Sequence, residues 1–280
     1  MSNERIAIIG GGNLGSAIAR GLVTAGVRTP DAITITRRSE PPLIPFREQG
    51  FRTTMDNALA VEDASIVLIT VRPQQMDEVL KRISSRLDPK RHVLLSTATD
   101  VWIADMRKLV GPSVPVLRAM PNIGVAVGES MTCLACEAST PERAREAATS
   151  IFSALGRTAF INEDQMTPAT ALCACGIAFF LRAIRAASQG GVQVGFHADE
   201  AIRLAAQTAK GAAELILSKD AHPESLIDTV TTPLGVTIAG LNEMEHHGFG
   251  SALIRGIVVS AEKAHHQYAK RNQETPQADS

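Results

Sequence analysis

The sequence predicts an α/β protein, with an N-terminal Rossmann-type doubly wound sheet joined to a C-terminal all-helical domain. Three observations predict it. Short β-rich runs alternate with amphipathic stretches through the first two thirds of the chain. A glycine-rich turn follows the first of those runs directly. After about Asn162 the β-rich runs nearly vanish, while helical spacing of Ala, Leu and Ile persists.

The strands expected in order are Arg5–Ile9, Ala32–Thr36, Ser65–Thr70, His92–Ser96, Val114–Arg118 and Met131–Ala135. Runs such as Ile66-Val67-Leu68-Ile69 are apolar without alternation, as strands covered on both faces require, so a parallel sheet is expected. Leu14–Thr24 and Gln74–Ser84 carry helical spacing between the early strands. The second region places helices over Ala169–Gln189, Ala198–Ser218 and Gly250–Arg271. The boundary near Phe160–Gln165 divides a dinucleotide-binding domain, 1–163, from a helical domain, 164–271, with a polar tail over 272–280.

Composition bounds the function. Of 280 residues, 45% are hydrophobic and 20% charged, which excludes wholesale disorder. A formal net charge of −1 points to neither a nucleic-acid partner nor an anionic membrane. No membrane helix is expected, since no apolar run reaches the roughly 18–20 residues that one requires. The start, Met1 to Arg5, leads straight into a strand, unlike a signal peptide, and a cytoplasmic location is expected. The four cysteines, Cys133, Cys136, Cys173 and Cys175, read as small buried thiols, and no metal site is expected. His246-His247 and His265-His266 are adjacent pairs, whose members point in different directions on a helix.

The strongest motif is Ile9-Gly10-Gly11-Gly12-Asn13-Leu14-Gly15. It closes an apolar strand and opens a helix, the context in which G-x-G-x-x-G holds a dinucleotide. Gly10 serves the tight turn, Gly12 the approach of backbone to pyrophosphate, and Gly15 the packing of helix on strand. At the end of the second strand an NAD site carries an acidic residue for the ribose 2′-hydroxyl. Here the chain reads Thr36-Arg37-Arg38-Ser39, two guanidiniums and two hydroxyls suited to a 2′-phosphate. The expected cofactor is NADPH, with NADH left open.

From these residues onward the chain resembles the pyrroline-5-carboxylate reductase family, from Ile6 to about Ala269. The resemblance is carried by the glycine turn, Val71-Arg72-Pro73-Gln74, Leu117-Arg118-Ala119-Met120-Pro121-Asn122 and His222-Pro223. It continues through Asp228 to Pro233, with Gly235 and Thr237, and ends with Gly248-Phe249. It implies reduction of 1-pyrroline-5-carboxylate to L-proline by an oxidoreductase acting on a C=N bond, and a homodimer formed through the helical domain. It implies that Thr36 to Ser39 and Asn57 hold the adenosine end. Val71, Arg72, Pro73, Thr97 and Ala98 would line the ribose and nicotinamide, above Met120, Pro121 and Asn122. The family's substrate loop falls at Thr231–Thr237 and includes Thr232, Leu234, Gly235 and Val236. Thr229, Asp220 and Gly176 join the substrate set, and Thr237 matches the family threonine whose hydroxyl faces the ring nitrogen. A protonated C=N already accepts hydride well, so positioning is the protein's main task.

The chain departs from the family around the substrate. Cys173-Ala174-Cys175-Gly176-Ile177-Ala178-Phe179 stands where the family shows Ser-Gly-Ser-Gly-Pro-Ala-Tyr, Arg185 replaces a carboxylate, and Leu234 replaces a glycine. Asp100 stands near the nicotinamide segment and reads as a helix cap. Two alternatives therefore stay open: a related reductase for a different cyclic imine, and a non-catalytic NADPH-binding regulatory paralogue. A hydroxyacid-dehydrogenase reading fails for want of a lysine between Thr167 and Gln189.

Overall fold

The computed structural model describes residues 4–274, with side chains as far as His265. Eight strands form one sheet: β1 Ile6–Ile9, β2 Ile33–Thr36, β3 Arg52–Thr54, β4 Ile66–Ile69, β5 Val93–Ser96, β6 Val116–Met120, β7 Ser130–Cys136 and β8 Gly156–Phe160. Their order is β3-β2-β1-β4-β5-β6-β7-β8. The helices are α1 Asn13–Thr24, α2 Ile44–Glu48, α3 Asn57–Glu62, α4 Met76–Ile83, α5 Ile103–Val110, α6 Glu142–Ser153 and α7 Met166–Ala169. After them come α8 Gly176–Gln193, α9 Ala198–Lys219, α10 Pro223–Val230, α11 Val236–His246 and α12 Phe249–Glu274.

Strand alternation builds the core on both faces of the sheet. Ile6, Ile8, Ile33, Ile35 and Leu68 meet Ile18 and Leu22 of α1 and Ile151 and Phe152 of α6. Ala7, Ile9, Val67, Ile69 and Leu94 meet α4 and α5 through Met76, Leu80, Ile103 and Met106. Each fully buried aliphatic side chain contributes about 1.5–3 kcal/mol relative to exposure. Continuous apolar strands therefore follow from helices on both sides.

From β3 to β6 every pairing is parallel, but β6 pairs antiparallel with β7, and β8 then runs parallel to β7. The expectation of a uniformly parallel sheet is corrected at this edge. The connection over 121–129 holds only a 3₁₀ turn, Ile123–Val127, and is too short for the helical crossover a parallel neighbour needs. Two strands, β3 and β8, went unexpected.

The chain forms two compact units: residues up to Ala174 together with those from Ala261, and Cys175–Ser260. The division falls later than the change of composition near Phe160–Gln165. A π-helical stretch, Thr170–Cys175, leads into α8. In the second unit α8 packs on α9, and a side chain at Gly191 would approach the Ala201 Cβ to 3.1 Å. Little else there is buried. Phe180, Leu181, Leu204 and Ile254 are 58%, 53%, 48% and 66% exposed. By length and composition the helical stretch Glu163–Gln193 is apolar enough to cross a membrane, contrary to the expectation from the sequence, and little of it is buried. Of the tail expected over 272–280, residues 272–274 continue α12 and the rest lies outside the described residues.

Candidate functional site

The order β3-β2-β1-β4-β5-β6 makes β1 the point at which the winding reverses, and ligands of open α/β sheets bind at the carboxyl ends of strands there. The turn after β1 is closely tied. Gly11 N–H donates to the Thr36 carbonyl at 2.9 Å and Gly12 N–H to the Gly10 carbonyl at 2.7 Å. Gly10 N–H reaches the Thr36 hydroxyl at 3.3 Å, and the Thr70 hydroxyl donates to the Gly10 carbonyl at 2.6 Å. Gly10 has φ +107°, which side-chain-bearing residues rarely adopt. A Cβ on Gly15 would fall 2.4 Å from the Gly10 carbonyl oxygen, so any larger residue would force helix from strand.

Asn13 and Leu14 open α1, whose cap position, Gly12, offers no side chain to the first-turn N–H groups. That turn contains no acidic residue. Uncapped N–H groups at a dipole's positive end fit an anionic pyrophosphate. Arg37 lies beside this turn: its guanidinium Nη1 stands 3.7 Å from where a Gly12 Cβ would be. Arg38 and Ser39 beside it are exposed. Neither arginine has a carboxylate partner among the described residues. Two free guanidiniums at the end of β2 fit a 2′-phosphate.

The other residues assigned to the cofactor lie along the same sheet edge. Asn57 opens α3, behind Asp56, whose carboxylate caps that helix through Ala58 N–H at 2.8 Å. Val71, Arg72 and Pro73 follow β4, with Arg72 exposed. Thr97 and Ala98 follow β5 and are buried, and the Thr97 hydroxyl donates to the Ile69 carbonyl at 3.2 Å. Asp100 is no helix cap. It sits at φ +61°, two residues before Trp102, which holds the cap position of α5.

Met120 ends β6, and Pro121 is buried behind it. The Asn122 side chain is fully engaged within the protein. Its Oδ1 accepts from Gly124 N–H at 2.9 Å, while its Nδ2 donates to the Cys173 carbonyl at 3.2 Å. Asn122 thus anchors the turn after β6 to the π-helical stretch. Sequence reasoning missed the neighbouring pair: Cys133 Sγ and Cys173 Sγ lie 3.9 Å apart. The hydrogen bond between the two thiols, in which either sulfur can donate, pulls the Cys173 thiol down against the opposing effect of burial. The same bond, with burial, pushes the Cys133 thiol up. Cys133 is buried, but Cys136, Cys173 and Cys175 are only partly so, which corrects the expectation for those three. Among the described residues, no three His, Cys, Asp or Glu groups could hold a metal ion.

The substrate set lies in the second unit. Gly176 is buried at the start of α8. Asp220 ends α9 in the left-handed region at φ +48°, and the Thr229 hydroxyl is bonded back to the Leu226 carbonyl at 2.6 Å. The Thr232 carbonyl accepts from Gly235 N–H at 2.9 Å, closing a tight turn. Gly235 caps α11 without a side chain, and Val236 and Thr237 form its first turn, which again holds no acid. An uncapped helix start beside a hydroxyl can receive a carboxylate. Leu234 holds φ +61° with its side chain fully exposed. Arg185 is exposed on α8.

This sheet order, glycine turn and all-helical second unit define a two-unit dinucleotide-binding protein of the Rossmann class. Residues 5–100 match the profile for NADP oxidoreductase, coenzyme F420-dependent, and residues 163–267 match that for pyrroline-5-carboxylate reductase dimerisation. The chain belongs to the pyrroline-5-carboxylate reductase family. It is 44% identical to pyrroline-5-carboxylate reductase 2 of Dictyostelium discoideum, over 97% of this chain and 95% of that protein. It is 46% identical to pyrroline-5-carboxylate reductase 1 of the same organism over 96% of this chain, but spans only 50% of that longer relative. Its fold matches a solved pyrroline-5-carboxylate reductase of Coxiella burnetii with a TM-score of 0.86 and 28% identity, over 95% and 98% of the two chains.

Proposed function

We propose that this chain reduces 1-pyrroline-5-carboxylate to L-proline with NADPH, as an oxidoreductase acting on a C=N bond. The observation that carries this reading is the near end-to-end relationship to a reductase of that name, spanning both units. When bound, NADPH supplies hydride to the imine carbon, and a proton on nitrogen completes the amine. Gly10 to Gly15 hold the pyrophosphate on α1. Arg37 and Arg38 take the 2′-phosphate, with Thr36, Ser39 and Asn57 at the adenosine end. Val71 to Pro73, Thr97, Ala98 and Met120 to Asn122 line the ribose and nicotinamide.

In the second unit, the free N–H groups of Val236 and Thr237, at the start of α11, receive the substrate carboxylate. The Thr237 hydroxyl bonds the ring nitrogen as it becomes an amine. Thr232, Leu234, Thr229, Asp220 and Gly176 complete the substrate set. The apolar side chains of the helical unit pack against a second copy, so the protein is a homodimer. That packing covers the exposed apolar side chains of α8, such as Phe180 and Leu181, with protein rather than lipid, and the protein works in the cytoplasm.

The test is NADPH consumption with pyrroline-5-carboxylate, its six-membered homologue and a decarboxylated imine, for the wild type and Thr237→Ala. Turnover on the first, cut tenfold or more by T237A with NADPH affinity kept, is expected. Turnover only on another imine would mean that Leu234 and Cys173–Phe179 have changed the substrate. NADPH binding without turnover on any of the three would leave a regulatory paralogue.

A further inference from the structure

Cys133 and Cys173 come from elements far apart in the chain and meet sulfur to sulfur. Cys133 lies in β7, directly opposite Met120 of β6 in the antiparallel register, and is 5% exposed. Cys173 lies in the π-helical stretch Thr170–Cys175, is partly exposed, and places its sulfur 3.9 Å from that of Cys133. A disulfide bond is about 2.05 Å long, so closing the pair requires the sulfurs to approach by about 2 Å. Two features make that movement accessible. Cys173 sits where the helical ladder is already interrupted, and π-helical turns are places where a helix adjusts locally. Asn122 Nδ2 also holds the Cys173 carbonyl at 3.2 Å, which keeps this segment beside the turn after β6.

The two thiols are unequal in a way that suits a two-step oxidation. Cys173 is partly exposed, and its hydrogen bond with the Cys133 thiol favours its thiolate, the reactive form. Cys133 is buried and in contact, the disposition of a resolving thiol. Cys136 and Cys175 are partly exposed as well, but only Cys133 and Cys173 are brought together among the described residues.

We propose that Cys133 and Cys173 form a reversible disulfide when the protein meets a peroxide, making this pair an oxidation site on the sheet-bearing unit. The Cys173 thiolate attacks one peroxide oxygen. The O–O bond breaks, Cys173 becomes a sulfenic acid, and the departing hydroxide takes up a proton as water. The Cys133 sulfur then attacks the sulfenic sulfur. An S–S bond forms as the S–O bond breaks, and the Cys133 proton leaves with that hydroxide as a second water. The two sulfurs together lose two electrons, which the peroxide gains, and an added dithiol returns both thiols by exchange.

The inference stands on sulfur geometry and does not depend on the reductase reading, because its readout is mass rather than turnover. The full chain, reduced and freed of reductant, is treated with hydrogen peroxide, alkylated, and mapped without reduction. The expected result is one cross-linked peptide pair containing Cys133 and Cys173, with Cys136 and Cys175 still alkylated, and loss of the cross-link on adding dithiothreitol. Cys175→Ser should leave the cross-link in place. Cys133→Ser should abolish it and leave a Cys173 sulfenic acid that dimedone traps. A cross-link joining any other pair, sulfinic acid at Cys173 of the wild type with no cross-link, or four alkylated cysteines after peroxide would each overturn the proposal. The wild-type map decides the matter even if a variant fails to fold.

Discussion

The Arg118 guanidinium stands 3.2 Å from Glu163 Oε1, with only 3% and 19% of the two side chains exposed. The same carboxylate oxygen accepts the Ile103 N–H at 2.7 Å, and the guanidinium carbon lies 5.8 Å from the centre of the Trp102 ring. One acid thus ties the strand that leads into Met120-Pro121-Asn122 to the start of α5, from the point where the sheet hands over to helices. Removing one charge from a buried ion pair costs about 3 kcal/mol. Glu163→Gln keeps an acceptor for Ile103 and removes only the charge, so it should unfold at clearly lower denaturant. Arg118→Met together with Glu163→Gln should recover most of the loss. An unchanged denaturation midpoint for E163Q would show that the pair contributes nothing.

Arg37 and Arg38 set the cofactor preference if they hold the 2′-phosphate. A hydrogen bond to a charged group contributes about 1.5–3 kcal/mol. Arg37→Ala with Arg38→Ala should therefore raise the KM for NADPH at least tenfold and leave that for NADH nearly unchanged. Michaelis constants that rise together for both cofactors would assign these arginines to something other than the 2′-phosphate.

Legibility in the sequence follows how local each feature is. The strand expected over Ser65–Thr70 is β4, Ile66–Ile69, because burial on both faces makes a continuous apolar run, and that over Ala32–Thr36 is β2, Ile33–Thr36, whose β-branched Ile and Thr residues suit a strand. Arg52-Thr53-Thr54 has no such run, and Gly156–Phe160 lies at the sheet's other edge, half-exposed, so neither announced itself. The reversal at β7 depends on the length of the 121–129 connection rather than on the strand. The glycine turn was readable because its function lies in neighbouring residues, and its tie to Thr36 follows from the parallel pairing of β1 and β2. The Cys133–Cys173 contact spans 40 residues and has no local sign. The substrate residues entered only through family resemblance, since Thr229 to Thr237 show no periodicity that marks a ligand.

His92 gives the fold a pH dependence. It is 2% exposed, its Nδ1 accepts from Asp88 N–H at 2.7 Å, and its Nε2 lies 3.2 Å from the Val61 carbonyl. Both contacts suit the neutral ring with its proton on Nε2, and burial, the largest influence, lowers its pKa from 6.5. The unfolded chain therefore binds a proton that the folded one resists. Stability is unaffected by this group well above pH 6.5 and falls as pH drops below 6.5 toward the lowered folded value. His92→Gln should flatten the slope of Tm against pH in that window while costing some stability at pH 8. An identical slope in both proteins would mean that other groups govern it.

Leu234 occupies the left-handed region at φ +61° with its side chain wholly in solvent. A residue with a Cβ pays about 1–2 kcal/mol there, whereas glycine does not. Glycine loosens the unfolded chain by roughly 0.4–1 kcal/mol, and no buried contact is lost on truncation, so the backbone term decides the sign. Leu234→Gly should therefore raise stability by about 0.5–1 kcal/mol, against the usual loss on introducing glycine. Leu234→Val, with branching at Cβ, should lower it by a comparable amount. The substitution also clears the side chain next to the Gly235 and Val236 N–H groups, so the KM for pyrroline-5-carboxylate should fall in L234G. Urea denaturation and steady-state kinetics on the two variants separate these effects. If glycine destabilises while valine does not, the left-handed conformation is not held in solution and the turn before α11 relaxes to another form.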